Sequence, residues 1–327
     1  MRITRRRFIA ISAAAGGLPL LPIAPARAAP LLRVWTGTAL GCDATLQIHH
    51  PDPATADRLI EASLAEVRRL EHIMSLYRPD SGLSRLNRDG VLEDPPFDLV
   101  RVLSEARDYS AVSGGAFDVT VQPLWDLYAG HFSKPDASPD GPPADAIAEA
   151  VARVGYEALE IDPERLRFAR PRMGVTLNGI GQGYITDRVV ELLRAGGVEH
   201  ALVDVGKTRA IGGIPQAAVV GWTGGSRAPG TIAERIPLVG RAIATAGGYG
   251  TLFDAAGRFS HIFEPWSGHT SWRWLSVSVE SGTATESNAL SNAFALMPEE
   301  ATAGVVRSLG LTAHFVRPDG ARVVQKA

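Results

Sequence analysis

The sequence predicts an α+β fold, with one large domain after a short N-terminal leader. Stretches with apolar residues at helical spacing are mixed with short apolar runs that are typical of strands. These stretches do not follow the regular strand–helix–strand order of a doubly wound sheet, and we find no internal repeat. With 327 residues, the chain is long enough to form a substantial hydrophobic core.

The leader has the composition of an export signal. It has a basic start, an apolar middle and an end rich in small residues. Thr4–Ile9 follows the twin-arginine pattern, and Ala26–Ala28 is a plausible cleavage site. The alternative is a lone membrane anchor, but two glycines and two prolines between residues 16 and 22 break a stretch already too short to span a bilayer. We therefore expect residues 1–28 to be a removed twin-arginine signal, residues 29–327 to form the domain, and the location to be periplasmic.

The charge of the chain argues against nucleic acid as a partner. The sequence has 33 basic and 35 acidic residues, and the expected signal holds five of the arginines and no acid. Removing the signal therefore leaves 28 basic against 35 acidic residues, a net charge of −7. No basic face for nucleic acid or anionic lipid is implied, and no membrane span is expected after the signal is removed. The single cysteine, Cys42, allows no intramolecular disulfide.

In the first half of the chain, apolar spacing and turn-forming residues separate the elements. Apolar residues recur at helical spacing in 54–77, and prolines at the start and glycines at the end delimit a second helix in 95–115. Turn formers dominate residues 78–90, which predicts a loop. In order, we predict a strand or hairpin in 31–50, a helix in 54–77, a loop in 78–90, a helix in 95–115, a new element in 117–128, an exposed connection in 133–144 and a helix in 144–155.

In the second half, strands outnumber helices. The segment 182–197 has its apolar residues on one helical face, and Gly196-Gly197 ends it. The order we predict is strands with turns in 158–180, a helix in 182–197, strands in 200–206, 241–249, 258–265 and 274–281, a helix in 285–297, and a closing helix and hairpin in 304–324. This mixture of elements is the basis of the α+β prediction.

Three glycines stand at the start of the helix in 182–197. Gly179, Gly181 and Gly183 would let an anion approach free N–H groups at the positive end of a helix dipole. A phosphate site is therefore one interpretation, although the spacing differs from that of the dinucleotide fingerprint. The other interpretation is a tight turn packed against a sheet.

Six stretches in this order resemble one family. They are MSLYRPDSGLSRLN (74–87), GGAFDVTVQPLWDLY (114–128), LNGIGQGYITDRVVELLRAGGVEHALVDVG (177–206), IATAGGY (243–249), RFSHIFEPWSG (258–268) and NALSNAFALM (288–297). Together they resemble the FAD:protein FMN transferase (ApbE) family over nearly all of the chain after the leader. The resemblance implies the ApbE-like mixed sheet and helix architecture, with FAD as a substrate.

The resemblance also implies which residues form the site. His261, in the stretch 260–265, matches a histidine that serves the proton transfer, and an imidazole suits a general base near neutral pH. The alternative is a histidine buried in a strand and hydrogen-bonded to the backbone. The residues implied to bind the nucleotide are Ser81, Asp118, Thr120, Trp125, Gly179, Gly181, Gly183, Tyr184 and Thr245.

The magnesium site implied by the resemblance is altered in this sequence. Its ligands correspond to the backbone of Gly181 and the side chains of Asn288 and Asn292, where the family has an aspartate and a threonine. Asn288 keeps an oxygen atom but loses the negative charge, and Gly206-Lys207-Thr208 stands where the family has Gly-Gly-Asp, so a second acid is lost. We therefore expect Mg²⁺ to bind in a weakened or altered site.

The expected function is that of an exported FAD:protein FMN transferase. In that reaction the FMN half of FAD is attached to a Thr or Ser hydroxyl of an acceptor protein through a phosphoester, and AMP leaves. The expected acceptor belongs to periplasmic electron transfer. A non-catalytic flavin-binding or maturation accessory protein on the same fold is the alternative. A periplasmic protein that binds a small anion at the glycine-rich helix start is a third possibility.

Overall fold

The computed structural model of the protein describes residues 30–222 and 232–327. The expected signal, residues 1–28, lies outside the described residues. Within the two described ranges, no helix is both long enough and apolar enough to cross a membrane.

Helices and antiparallel strands are both present, which confirms the α+β class. The strands are β1 (Leu31–Ala39), β2 (Cys42–His50), β3 (Val91–Glu93), β4 (Leu159–Ile161), β5 (Arg165–Phe168), β6 (His200–Asp204), β7 (Thr208–Ile211), β8 (Gly213–Trp222), β9 (Ile232–Val239), β10 (Ala242–Ala246), β11 (Ser276–Ser281), β12 (Thr312–Val316) and β13 (Arg322–Lys326). The helices are α1 (Pro53–Met74), α2 (Gly82–Asp89), α3 (Phe97–Val112), α4 (Gln122–Phe132), α5 (Ala144–Val151), α6 (Gly181–Ala195), α7 (Ala284–Leu296) and α8 (Glu299–Leu309).

An eight-stranded antiparallel sheet forms the centre of the fold. Its order is β1-β2-β6-β7-β10-β11-β12-β13, and β3-β5-β4 and β8-β9 form two smaller sheets. Helix α7 packs on β10 and β11, α6 packs on α7, and α1 packs on α6. The apolar faces of these helices and of the large sheet form the main core, because burying both removes apolar surface from water.

The loop predicted for residues 78–90 is wrong, because this segment contains helix α2. The turn-forming residues that suggested a loop instead form the two ends of a short helix. The side chain of Ser81 caps the first turn, and Gly90 ends the helix with a left-handed φ of 74°. Leu83 and Leu86, one turn apart, are buried and hold the helix on the core.

The strand predicted for residues 258–265 is also wrong. This segment is irregular and makes only isolated bridges, Leu252 with Ser260 and Phe263 with Thr270. Its apolar side chains do not alternate across a sheet. Ile262 packs in the main core, whereas Phe259 and Phe263 pack with helices α4 and α5 in a second, smaller core.

Four aromatic rings hold this irregular segment in place. The ring centroids of Tyr128 and Phe263 are 5.1 Å apart, and those of Tyr128 and Phe259 are 5.8 Å apart. Phe253 lies 5.8 Å from Phe263. Tilted aromatic pairs at these distances add stabilisation beyond simple burial. The four rings, which we call the aromatic cluster, therefore fix the backbone that carries His261.

The other sequence predictions differ from the structure mainly in length. The hairpin in 31–50 and the helices predicted for 54–77, 95–115, 182–197 and 285–297 are confirmed as β1–β2, α1, α3, α6 and α7. The closing helix and hairpin predicted for 304–324 are confirmed as α8 and β12–β13. The new element in 117–128 is helix α4, and residues 133–143 form the expected connection. Helix α5 ends at Val151, four residues before Gly155.

One carboxylate, Asp187 of α6, holds the N-terminus of α7. Its two oxygens accept hydrogen bonds from the backbone N–H groups of Ala284 and Thr285, both at 2.8 Å, and from the Thr285 hydroxyl at 2.6 Å. Arg209 of β7 forms an ion pair with the same carboxylate. The side chains of Asp187 and Arg209 are less than one-tenth exposed, so this buried pair joins three elements.

Gly183 allows α6 and α7 to approach each other closely. A Cβ atom at this position would lie 2.3 Å from the carbonyl oxygen of Ala284 and 2.8 Å from the Cα of Thr285. Backbone atoms cannot move aside as a flexible side chain can. This glycine therefore serves helix packing.

Replacing Gly183 by alanine should lower the free energy of unfolding by about 1–3 kcal/mol, because the helices must move apart. Equilibrium urea unfolding measures this change. The matched control is Gly304→Ala in α8, where an added Cβ meets nothing within 4 Å. The control should raise stability by about 0.5–1 kcal/mol, because alanine favours the helix. Equal stability of Gly183→Ala and the native protein would contradict the packing role.

Candidate active site

A cavity beside the aromatic cluster contains several of the predicted site residues. It measures about 410 Å³, and we call it the Trp125 cavity. Its walls are mostly apolar and aromatic, which suits a flat ring system. Its lining includes the side chains of Phe117, Asp118, Trp125, His261, Phe263 and Asn292.

A second, more polar cavity adjoins the first. It measures about 860 Å³, and we call it the Lys207 cavity. Leu40, Gln182, Thr251 and His261 line both cavities and therefore stand at their junction. The polar residues that line the second cavity alone include Asp204, Lys207, Thr208 and Thr245.

His261 presents one ring nitrogen that is free to accept a proton. Its Nδ1 lies 3.2 Å from the backbone carbonyl oxygen of Thr251. Because a carbonyl can only accept, Nδ1 carries the hydrogen and Nε2 has the free lone pair. Gly250 packs against the edge of the ring, and a Cβ there would lie 3.2 Å from Cε1.

The surroundings of His261 keep its ring neutral. Burial lowers the pKa of His261 below its ordinary value, and the positive charge of Lys207 lowers it further, while the hydrogen bond to Thr251 opposes both. A neutral imidazole at neutral pH is the form that a general base requires. The alternative was a histidine buried in a strand and hydrogen-bonded to the backbone. The hydrogen bond to the backbone is present, but the segment is not a strand.

Asp118 and Thr120 organise the loop before α4. Asp118 accepts hydrogen bonds from the backbone N–H and hydroxyl of Thr120, at 2.7 and 2.6 Å, and from the N–H of Tyr156 at 2.9 Å. The hydroxyl of Thr120 accepts from the N–H of Gly155 at 2.7 Å. Burial raises the pKa of Asp118, although these hydrogen bonds oppose the shift. Asp118 also lines the Trp125 cavity, whereas Thr120 is fully buried behind it.

Trp125 and Thr245 lie in different cavities. The Trp125 ring forms a wall of the first cavity and meets Phe253 edge-on, with ring centroids 5.0 Å apart. The hydroxyl of Thr245 lines the second cavity and shares a hydrogen bond of 2.7 Å with that of Ser278. Both residues are therefore placed to contact one ligand that extends across the junction.

The glycines at the start of α6 contact mainly the protein itself. A Cβ at Gly179 would lie 2.9 Å from the ring of Phe117, and the N–H of Gly183 donates to the side-chain oxygen of Asn288 at 3.2 Å. The N–H of Gly181 donates to the carbonyl of Leu177 at 2.6 Å. These contacts favour the packed-turn interpretation, because two N–H groups that an anion would need are already used.

Ser81 and Tyr184, like Thr120, Gly181 and Gly183, line neither cavity. The hydroxyl of Ser81 donates to the carbonyl of Ser75 at 2.6 Å and accepts from the N–H of Ser84 at 2.9 Å, as the cap of α2. Tyr184 is buried in the core, where its hydroxyl donates to Asp98 at 2.7 Å. The roles predicted for Ser81 and Tyr184 toward a nucleotide stay predictions, and their observed contacts are structural.

The three predicted metal ligands lie together where α6 and α7 meet. The side-chain nitrogen of Asn292 donates to the carbonyl of Asn288 at 2.9 Å and to that of Gly179 at 3.4 Å. The side-chain oxygen of Asn288 is bonded to Gly183, and its side-chain nitrogen is buried without a hydrogen-bond partner in the described structure.

This arrangement does not fit a hard divalent cation. Mg²⁺ prefers charged or carbonyl oxygens in octahedral geometry. The side-chain oxygen of Asn288 already accepts a hydrogen bond from Gly183, and the side-chain nitrogen of Asn292 occupies the carbonyl oxygens of Gly179 and Asn288. In the described part of the chain, no group of three or more His, Cys, Asp or Glu side chains is placed to hold a metal ion. The predicted magnesium site stays a prediction, and we derive no step through a metal.

Apart from His261, the residues at the junction were not predicted from the sequence. Thr251 lies there beside His261, and Phe117 packs on Gly179, but no sequence pattern predicts either position. Lys207 was noted in the sequence only because its stretch, residues 206–208, differs from the family pattern. A larger groove of about 1250 Å³ lies between α4, α5 and β5, but it contains none of the predicted site residues.

The fold and the junction together indicate a protein that binds an elongated, partly anionic ligand. An aromatic cavity, a polar cavity with a lysine, and a neutral histidine between them suit an elongated ligand with a flat ring at one end and an anionic group beside the histidine. The ApbE family model matches residues 40–315, and the chain belongs to that family.

Curated relatives and a solved structure agree with this membership. The chain is 32% identical over 260 residues to the FAD:protein FMN transferase of Vibrio cholerae, covering 76% of this chain and 75% of that protein. It is 27% identical over 308 residues to that of Klebsiella pneumoniae, covering 90% and 87%. The apo crystal structure of the flavinyl transferase ApbE from Pseudomonas stutzeri superposes with a TM-score of 0.76 at 27% identity, over 91% of this chain and 96% of that chain.

Proposed function

We propose that this protein is an FAD:protein FMN transferase. The observation that carries the proposal is the position of His261 at the junction of the two cavities. FAD has the matching shape, because its phosphoanhydride lies between the flavin ring and the adenosine. A flavin ring in the Trp125 cavity therefore leaves the reacting phosphorus near the junction.

Each wall has a separate task in this reaction. The rings of Phe117 and Trp125 bind the flavin and exclude water from it. Thr245 and Lys207 face the polar part of the nucleotide. Because the aromatic cluster fixes the segment of His261, the base is held in position before the ligand binds.

The chemical step transfers a phosphoryl group between two oxygens. The acceptor hydroxyl gives its proton to Nε2 of His261 while its oxygen forms a bond to the phosphorus of the FMN half. The anhydride bond breaks, and AMP leaves with the electron pair. A Thr or Ser hydroxyl has the required chemistry, and the names of the relatives imply a protein acceptor.

Export and acceptor class are parts of this proposal that rest on the sequence. The twin-arginine pattern in residues 1–28 supports a periplasmic protein. An acceptor protein of periplasmic electron transfer is in keeping with that location. Magnesium, which the family resemblance implies, is not favoured by the amide side chains of Asn288 and Asn292.

One observation favours the second candidate, a non-catalytic flavin-binding or maturation accessory protein. The two neutral amides of α7 occupy the positions where the resemblance implies an aspartate and a threonine. This candidate predicts that FAD binds but that no covalent product forms.

In-gel flavin fluorescence separates the two candidates. Residues 29–327 are incubated with FAD and a flavin-accepting domain, with magnesium or with EDTA, and the proteins are separated on a denaturing gel. A fluorescent acceptor band supports the transferase. If FAD binds to the folded protein and no band forms under either condition, the accessory function is correct.

The pH profile of kcat/KM should have an acid limb with its midpoint below the ordinary histidine value of about 6.5. The active form of His261 is neutral, so activity is present above its pKa and is lost as the pH falls through it. Among the described charged groups, Lys207 acts on this histidine, so Lys207→Met should move the midpoint to higher pH. Steady-state transfer rates at constant ionic strength measure both effects. A midpoint above 6.5 in the native protein would contradict this assignment.

A further inference from the structure

We propose that Lys207 binds the diphosphate of FAD. Its ammonium group supplies the positive charge that a metal ion would otherwise supply, because the amides of α7 do not hold such an ion. This proposal rests on the proposed function and specifies how its substrate is held. It makes Lys207 a residue that contacts substrate, in a chain that binds FAD without a divalent cation.

The hairpin between β6 and β7 places Lys207 in the wall of the cavity. Strand residues Asp204 and Thr208 are paired, so Val205, Gly206 and Lys207 form the turn. Asp204 holds this turn by accepting hydrogen bonds from the N–H of Gly206 at 3.2 Å and from the hydroxyl of Thr208 at 3.1 Å. The lysine therefore extends from a short, hydrogen-bonded turn.

The ammonium group of Lys207 has spare hydrogen-bonding capacity. Its Nζ donates to the carbonyl of Thr245 at a long 3.4 Å, although an ammonium has three hydrogens to donate. Among the described residues, no carboxylate lies within ion-pair distance of it. Burial lowers the pKa of Lys207, which Asp204 opposes. A bound phosphate would satisfy the free hydrogens and offset the cost of burying the charge.

The balance of charge at the junction supports the same ligand. Lys207 and Asp204 line the polar cavity, and Asp204 uses both carboxylate oxygens for its own turn. On the other side of the junction, Asn292 contributes a neutral amide to the Trp125 cavity. The ammonium of Lys207 therefore offers free donors to an anion, whereas both oxygens of Asp204 are already used within the turn.

The position of Lys207 also fits the reaction. The lysine and His261 line the same cavity, and the lysine charge acts on the histidine ring. An ammonium here stabilises the negative charge that develops on the leaving phosphate as the anhydride bond breaks. Lysine performs this task as a point charge in other phosphate sites.

Flavin-fluorescence titrations in EDTA test the proposal. The native protein should bind FAD under these conditions, and inorganic pyrophosphate should compete with FAD. Lys207→Met should bind FAD about ten- to hundredfold more weakly, as expected when a charge-assisted hydrogen bond is lost. Riboflavin has no phosphate, so its affinity should be the same for both proteins.

Two variants control this experiment. Lys207→Arg keeps the charge and should keep most of the affinity for FAD. Lys134→Met removes an exposed lysine from the connection before α5, outside both cavities, and should change nothing. Unchanged riboflavin binding by Lys207→Met shows that the variant is folded.

The outcomes distinguish this proposal from the proposed function. If FAD binding requires magnesium, if pyrophosphate does not compete, or if Lys207→Met binds FAD as tightly as the native protein, the role of Lys207 is wrong even when transfer to an acceptor occurs. If the titrations give the expected result but no acceptor becomes fluorescent, the lysine site stands and the transferase function fails. A native protein that binds no FAD overturns both.

Discussion

Replacing His261 by alanine should lower the rate of flavin transfer about 10²–10⁴-fold, the usual contribution of a positioned general base. The affinity for FAD should change little, because the expected role of the ring is to accept a proton from the acceptor. The measurement is the initial rate of fluorescent acceptor formation, together with a flavin-fluorescence titration of FAD binding. The substitution should therefore lower the rate of flavin transfer and leave the affinity for FAD nearly unchanged.

The matched control for this variant is His269→Ala. His269 belongs to the same irregular region but is exposed and lies outside the walls of both cavities. It should transfer flavin at the native rate. A His261→Ala protein that is folded and retains more than about a tenth of the native rate would exclude the general-base role.

Replacing Asp187 by alanine should lower the free energy of unfolding by about 3–5 kcal/mol. The variant removes three hydrogen bonds from the start of α7 and leaves Arg209 buried without its partner. A buried charge without a partner is the main cost, and the lost helix cap adds to it. Equilibrium urea unfolding with an unchanged m value measures the difference.

An exposed ion pair provides the comparison. Glu160 and Arg167 pair across β4 and β5 at 2.7 Å, with both side chains about half exposed. Glu160→Ala should change stability by less than about 1 kcal/mol, because water already solvates both charges. If the Asp187→Ala protein loses no more stability than Glu160→Ala, the buried pair does not anchor α7.

Local signals in the sequence were sufficient for the long helices, whereas strands β8 and β9 were not predicted. Helix α1 and helix α3 have clear apolar faces and helix-boundary residues, so the class and most of the helices could be predicted. Helix α2 was missed because the residues that cap a short helix are the same types that form loops. The irregular segment around His261 was missed because Phe259 and Phe263 pack on a neighbouring helix pair instead of pairing residues 258–265 with a sheet.

The site could be predicted from the sequence only in part. The motif that contains His261 pointed to a residue that lies at the junction of the cavities, and the motif around Trp125 pointed to a cavity wall. The glycine pattern also suggested a phosphate site, but Gly183 is needed by α7. That need arises from a contact with Ala284, which no local pattern reveals.

The walls of the Trp125 cavity come from distant parts of the chain, with Leu40 near one end and Asn292 near the other. During synthesis, a nascent chain that ends before α7 lacks one wall of this cavity. The cavity can therefore form only when nearly the whole chain has been made and folded. Such long-range closure is slow compared with the formation of local helices. For the twin-arginine export proposed above, which carries folded chains, the binding site would be complete before the protein leaves the compartment in which it is made.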